Sequence, residues 1–134
     1  MRIKPAMRWL LGILLLAAGA NHFVNPGFYE SIMPPWLPRH RELVAVSGVA
    51  EILLGGLILI PRFARVAAWG TIALLVAVFP ANLYMALNAE QFPRIHPVVL
   101  WLRLPFQGVL ILWAYWFTRR SSLDRENPTS HDNR

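Results

Sequence analysis

The sequence predicts an all-α integral membrane protein, an antiparallel four-transmembrane-helix bundle with both termini cytoplasmic. Three observations carry this. Hydrophobic residues make up 56 % of the 134 residues and charged ones only 15 %, against roughly 25 % charged in ordinary soluble domains. Four windows, 7–24, 43–60, 66–88 and 97–117, approach the ~20 apolar residues that a spanning helix needs. The segments between them alternate in basic charge, nine Lys/Arg on one side against three on the other.

The first window follows Arg2, Lys4 and Arg8 and contains Ala18-Gly19-Ala20, which is similar to a signal-peptide cleavage site. Its apolar stretch continues to Val24 and reaches spanning length, so it is read as the first span. The second and third windows are joined by Pro61–Arg65, a tight turn that makes them antiparallel neighbours. Residues 25–42 form a long loop with Pro26, Pro34, Pro35 and Pro38 around Trp36. Proline removes donors and favours turn or extended backbone, so no regular helix fills this loop. Its Phe28, Tyr29, Ile32, Met33, Trp36 and Leu37 fit either an interfacial lid or a plain aromatic belt. Residues 1–118 are the four-helix transmembrane domain, and 119–134 are polar and expected to be a disordered tail.

Loop charge sets the orientation. Arg2, Lys4 and Arg8, then Arg62 and Arg65, then Arg119, Arg120, Arg125 and Arg134 fall on one side; Arg39, Arg41 and Arg94 fall on the other. Cytoplasmic segments carry the excess of basic residues, which puts both termini inside. The net charge of +6 is thereby explained by insertion topology. No basic patch interleaved with aromatics is present to suggest nucleic acid.

Ionisable and amide side chains within hydrocarbon are costly and mark sites by default. Here they are His22, Glu51, Asn82, Arg103 and Gln107. At 1.5 Å rise per residue, His22 lies about 3 Å, Asn82 and Arg103 about 9 Å, Glu51 about 12 Å and Gln107 about 15 Å below the outer ends of their spans. Every helix contributes one at least, all in the outer half. Ser47, Gly48, Glu51 and Gly55 form a small-residue stripe on the second helix, and Gly12, Gly19 and His22 a similar one on the first. Such stripes face protein, within one bundle or between copies. Charge predicts that Glu51 pairs with Arg103, with Asn82, His22 and Gln107 completing the hydrogen bonds. Pro105 and Pro80 are expected to free the carbonyls of Trp101 and Val76. Trp101 and Tyr84 are expected to line the same pocket.

Other chemistry is excluded by residue type or spacing. With no cysteine in the chain, disulfides, thiolate-held metals and cysteine nucleophiles are ruled out for this polypeptide. No phosphate-binding glycine loop, HExxH or Gly-x-Ser-x-Gly occurs. His22, His40, His96 and His131 lack metal-ligand spacing, so no metal site and no catalytic residue is assigned.

The runs Asn21-His22-Phe23-Val24-Asn25-Pro26-Gly27-Phe28-Tyr29, Pro34-Pro35-Trp36-Leu37-Pro38, Ser47-Gly48-Val49-Ala50-Glu51 and Phe79-Pro80-Ala81-Asn82-Leu83-Tyr84-Met85 resemble the DoxX-like family of small bacterial membrane proteins. The resemblance spans Met7 to about Phe117. It implies a four-helix bundle of the bacterial inner membrane, and an association with redox complexes, since the family is named for a small subunit of a thiosulfate:quinone oxidoreductase.

Two functions follow as expectations. In the first, the chain is the membrane subunit or anchor of a redox system, accessory rather than a complete enzyme. It would bind a lipophilic ligand such as a quinone through His22, Glu51, Asn82, Arg103, Gln107, Tyr84 and Trp101. In the second, it is a non-catalytic scaffold or assembly factor, and the Glu–Arg network only fixes helix packing. A third use of the same residues makes His22 and Glu51 the acid and base of an enzyme acting on a lipophile. Expected partners are membrane lipid, a redox protein and a second copy of the chain.

Overall fold

Four long helices and one short one carry the chain in a computed structural model that describes residues 3–119. They are α1 (Ile3–Val24), α2 (Pro26–Ser31), α3 (His40–Ile58), α4 (Ala64–Leu87) and α5 (Pro97–Thr118), with one 3₁₀ turn at Ala89–Gln91. Helix starts follow local chemistry. Pro26 and Pro97 each occupy a first turn, where a missing N–H costs nothing and φ is already helical. His96 caps α5, its Nδ1 accepting from the Val98 N–H at 3.2 Å. Arg39, at φ 53°, is the only described non-glycine residue with positive φ. It ends the proline-rich loop and redirects the chain into α3.

The helices pack as α1 on α3, α3 on α4 and α4 on α5, each pair antiparallel. Glycines set the first contact. A Cβ on Gly19 would stand 2.8 Å from the Gly48 carbonyl oxygen, and one on Gly55 would stand 2.9 Å from that of Gly12. The two backbones therefore approach as only small residues permit. Across α4 and α5, Trp69 meets Tyr115 edge-on at 6.0 Å.

Two apolar clusters hold the ends of the bundle. One joins Leu11 and Leu15, Ile58, Ala64, Ala67 and Ala68, and Ala114 and Phe117 from all four long helices. The other joins Ile32, Met85, Phe92 and Leu100 beneath the first loop. Lys4 Nζ donates to the Arg119 carbonyl at 3.4 Å, so both ends of the described chain lie at the end occupied by the α3–α4 turn. That agrees with the side-by-side placement expected from loop charge. Arg2 and all of the predicted tail beyond Arg119 lie outside the described residues.

Among the described residues three helices, α1, α4 and α5, are long and apolar enough to cross a membrane, rather than the four expected. The exception is α3. Its helix begins three residues before the predicted window and ends two before its close, so Arg41 and Glu42 join Glu51 within its 19 residues. Large apolar side chains point outward, among them Val66 at 73 %, Leu112 at 70 % and Leu102 at 59 % exposure. In water such a surface would be an aggregation liability. On spanning helices it is what faces lipid, and the chain is a small helical membrane protein.

Candidate ligand site

Between the two apolar clusters lies a cavity of about 200 Å³. Its floor and first wall come from α1 and α3 through Ala18, His22, Val44, Ser47 and Glu51. The opposite wall is Leu75, Val78, Ala81 and Asn82 of α4, with Arg103 of α5. Tyr29 of α2, with Ile32 and Met33 just after it, closes the third side. The loop predicted as lid or belt thus contributes a wall, while its Trp36 points away at 71 % exposure.

The first wall is organised by the glycine contact, which brings α1 and α3 close enough for His22 to reach two groups of α3. Its Nδ1 lies 3.1 Å from the Val44 carbonyl. A carbonyl can only accept, so Nδ1 carries a proton. Its Nε2 lies 2.9 Å from Glu51 Oε2. Oε2 is buried and makes no hydrogen bond. Imidazole and carboxylate thus stand in contact on the cavity wall, and the carboxylate keeps an oxygen with no hydrogen bond there. Tyr29 stacks on the His22 ring at 3.9 Å between centroids, and its hydroxyl accepts from Asn21 Nδ2 at 2.7 Å. Asn21 in turn accepts from Asn25 at 2.8 Å.

The second wall is tied by Gln107, which is buried. Its Nε2 donates to the Leu75 carbonyl, and its Oε1 accepts from Asn82 Nδ2 at 2.7 Å. Pro80 lies inside α4, and the carbonyl that Gln107 engages is that of Leu75, not the Val76 carbonyl that the proline was expected to free. Arg103 is half-buried and, among the described residues, makes no ion pair or hydrogen bond.

The structure brings together four of the predicted site residues, His22, Glu51, Asn82 and Arg103, as cavity walls. Gln107 sits behind Asn82 and braces it. The predicted Glu51–Arg103 pair does not form: the only ion pair among the described residues joins Glu51 to His22. The reason is packing, since α1 lies directly on α3 while α5 stands across the cavity from it. Tyr84 and Trp101 do not line the cavity. Tyr84 Oη donates to Gln91 Oε1 at 2.9 Å, and Trp101 is 49 % exposed on the outer face of α5. Tyr29 was missed as a site residue. Its place beside Phe28, three residues after Pro26 at the start of α2, was the available signal. Among the described residues no cluster of metal-binding side chains occurs. His40 instead donates to the Pro34 carbonyl at 3.1 Å.

A family model described as "Domain of unknown function (DUF8561)" matches residues 11–118, which include every cavity residue. No curated protein and no solved structure matches the chain.

Proposed function

The chain belongs to the DUF8561 family, whose description assigns no activity, and from the site we propose that it binds the polar head of a lipophilic molecule, such as a quinone, as the membrane subunit or anchor of a redox system in the bacterial inner membrane. On this reading α3 completes a four-span bundle whose termini are both cytoplasmic. The likeness of its motifs to DoxX-like proteins supports the redox association.

One observation carries the proposal: a single cavity holds the His22–Glu51 pair on one wall and, on the other, Arg103 with no partner among the described residues beside Asn82, whose amide has one N–H bonded to Gln107 and a second to offer. A quinone head is a planar ring with acceptors at opposite ends. A cavity of about 150 Å³ holds benzene, so about 200 Å³ suits a substituted six-membered ring. Arg103 and Asn82 would donate to one carbonyl. His22 and Glu51 would hold a proton beside the other, and Tyr29 would pack near the ring. A bound quinone would supply the electron-carrying chemistry; electrons would come from a partner, since this chain contributes binding, orientation and a proton.

The scaffold reading draws on Gln107, which ties α4 to α5 and would do so without any ligand. It accounts for Asn82 and Gln107 but gives Arg103 no task. Purification in mild detergent, solvent extraction and mass spectrometry separate the two. About one quinone or other isoprenoid per chain supports the pocket, whereas bulk phospholipid alone supports the scaffold.

A further inference from the structure

A second hollow of about 340 Å³ adjoins the cavity along α4 and α5. It is lined by Leu75, Asn82, Arg103, Phe106, Gln107 and Leu110, and three of these, Leu75, Asn82 and Arg103, also wall the cavity. The polar residues stand at the junction. Beyond them, Phe106 and Leu110 continue the face of α5 begun by Arg103, at i+3 and i+7. Seven residues of helix give this face a length of about 10 Å. Phe106 is 58 % exposed, so the hollow opens on the apolar outer surface of two helices long enough to span a membrane. The first loop lies on the other side of the cavity, where Tyr29, Ile32 and Met33 close it.

We propose that this groove seats the hydrocarbon tail of the ligand, so that a prenyl-tailed quinone reaches the site sideways from the bilayer, between α4 and α5, past Arg103. The inference rests on the proposed head site and adds the tail's path. Its chemistry is that of a single-chain amphiphile: an acceptor head held at Arg103 and Asn82, then about two isoprene units along Phe106 and Leu110. Because lipid is as apolar as the groove, seating the tail there gains little from hydrophobicity alone. The groove therefore acts by shape, and filling it excludes the tail.

The test uses the full chain in phosphatidylcholine nanodiscs with two probes, a decyl-tailed benzoquinone and its tail-less parent, with retained probe measured by mass spectrometry. Leu110→Trp fills the groove; Leu112→Trp, on the exposed outer face, controls for bulk. Leu110→Trp is expected to lower retention of the tailed probe about tenfold, as overpacking of a fitted site does. Retention of the tail-less probe should stay within about twofold. Equal retention of the tailed probe by Leu110→Trp and the parent chain overturns the groove while leaving the head site intact. If neither quinone nor decanoic acid is retained, the quinone head site fails, and the tail path with it. Decanoic acid retained with the same Leu110 dependence, when neither quinone is, supports the groove and overturns the quinone as its occupant.

Discussion

His22 Nε2 and Glu51 Oε2 stand 2.9 Å apart across the glycine-lined contact of α1 and α3. The carboxylate thus takes its partner from the helix its backbone touches, not from the guanidinium across the cavity. Residues in contact couple energetically, whereas separated ones add. A double-mutant cycle of His22→Gln with Glu51→Gln is therefore expected to show a coupling of about 1 kcal/mol or more in thermal stability. The cycle of Glu51→Gln with Arg103→Gln should be additive within about 0.5 kcal/mol. Strong coupling of Glu51 to Arg103 would mean that the two pair after all.

The same contact predicts opposite outcomes for two glycines of similar helical setting. A Cβ on Gly19 would lie 2.8 Å from the Gly48 carbonyl and 2.9 Å from the Ile52 nitrogen, both backbone atoms that cannot step aside. Gly19→Ala is expected to force α1 from α3 and cost about 1–3 kcal/mol. At Gly56 nothing lies within 4 Å of such a Cβ. Gly56→Ala should gain up to about 1 kcal/mol from helix propensity. Melting temperatures in one detergent check both, and destabilisation by Gly56→Ala would count against the packing described.

How far this site could be read beforehand depends on what each residue's signal was. Span positions follow from hydropathy alone, and the apolar windows matched α1, α4 and α5 to within four residues at either end. The shared depth of His22, Glu51, Asn82 and Arg103 follows from helical rise, and these four do wall one cavity. The partner of Glu51 was misjudged because formal charge favours arginine. The small-residue stripes of α1 and α3 already implied that His22 would be nearer. Tyr84 and Trp101, expected to line the pocket, each stand two residues from a residue that does, Asn82 and Arg103. Two residues along a helix is a rotation of about 200°, which turns each away from its neighbour's face. Tyr29 needed the path of the loop, which no periodicity reveals.

Arg103 makes no ion pair or hydrogen bond among the described residues yet lines both the cavity and the groove. A residue held for structure should cost stability when removed; one held for a ligand should cost binding. Arg103→Met is expected to change stability by less than about 0.5 kcal/mol, the range for sites outside packed networks. It should lower quinone retention at least about tenfold, the value of a charge-assisted hydrogen bond. Arg103→Lys should recover part of the loss, since it keeps the charge without the planar fork. A destabilised Arg103→Met with unchanged retention would reverse the assignment.

Gln107 is the contrasting case, a buried amide with both ends engaged. Its Nε2 donates to the Leu75 carbonyl while its Oε1 accepts from Asn82 at 2.7 Å, so the amide can sit only one way round. Gln107→Glu keeps the shape but sets a carboxylate oxygen against the Leu75 carbonyl, two acceptors facing each other. Gln107→Met keeps the bulk, loses both bonds and introduces no repulsion. The methionine variant should lose about 1 kcal/mol, in keeping with polar contacts inside membrane bundles. The glutamate variant, ionised at a pH well above the carboxylic-acid range, should lose more. Thermal denaturation in a common detergent ranks them, and a glutamate variant as stable as the parent would show that the Leu75 carbonyl does not need this donor. Asn82→Leu added to Gln107→Met should then cost little further, because the bond the two residues share is already lost.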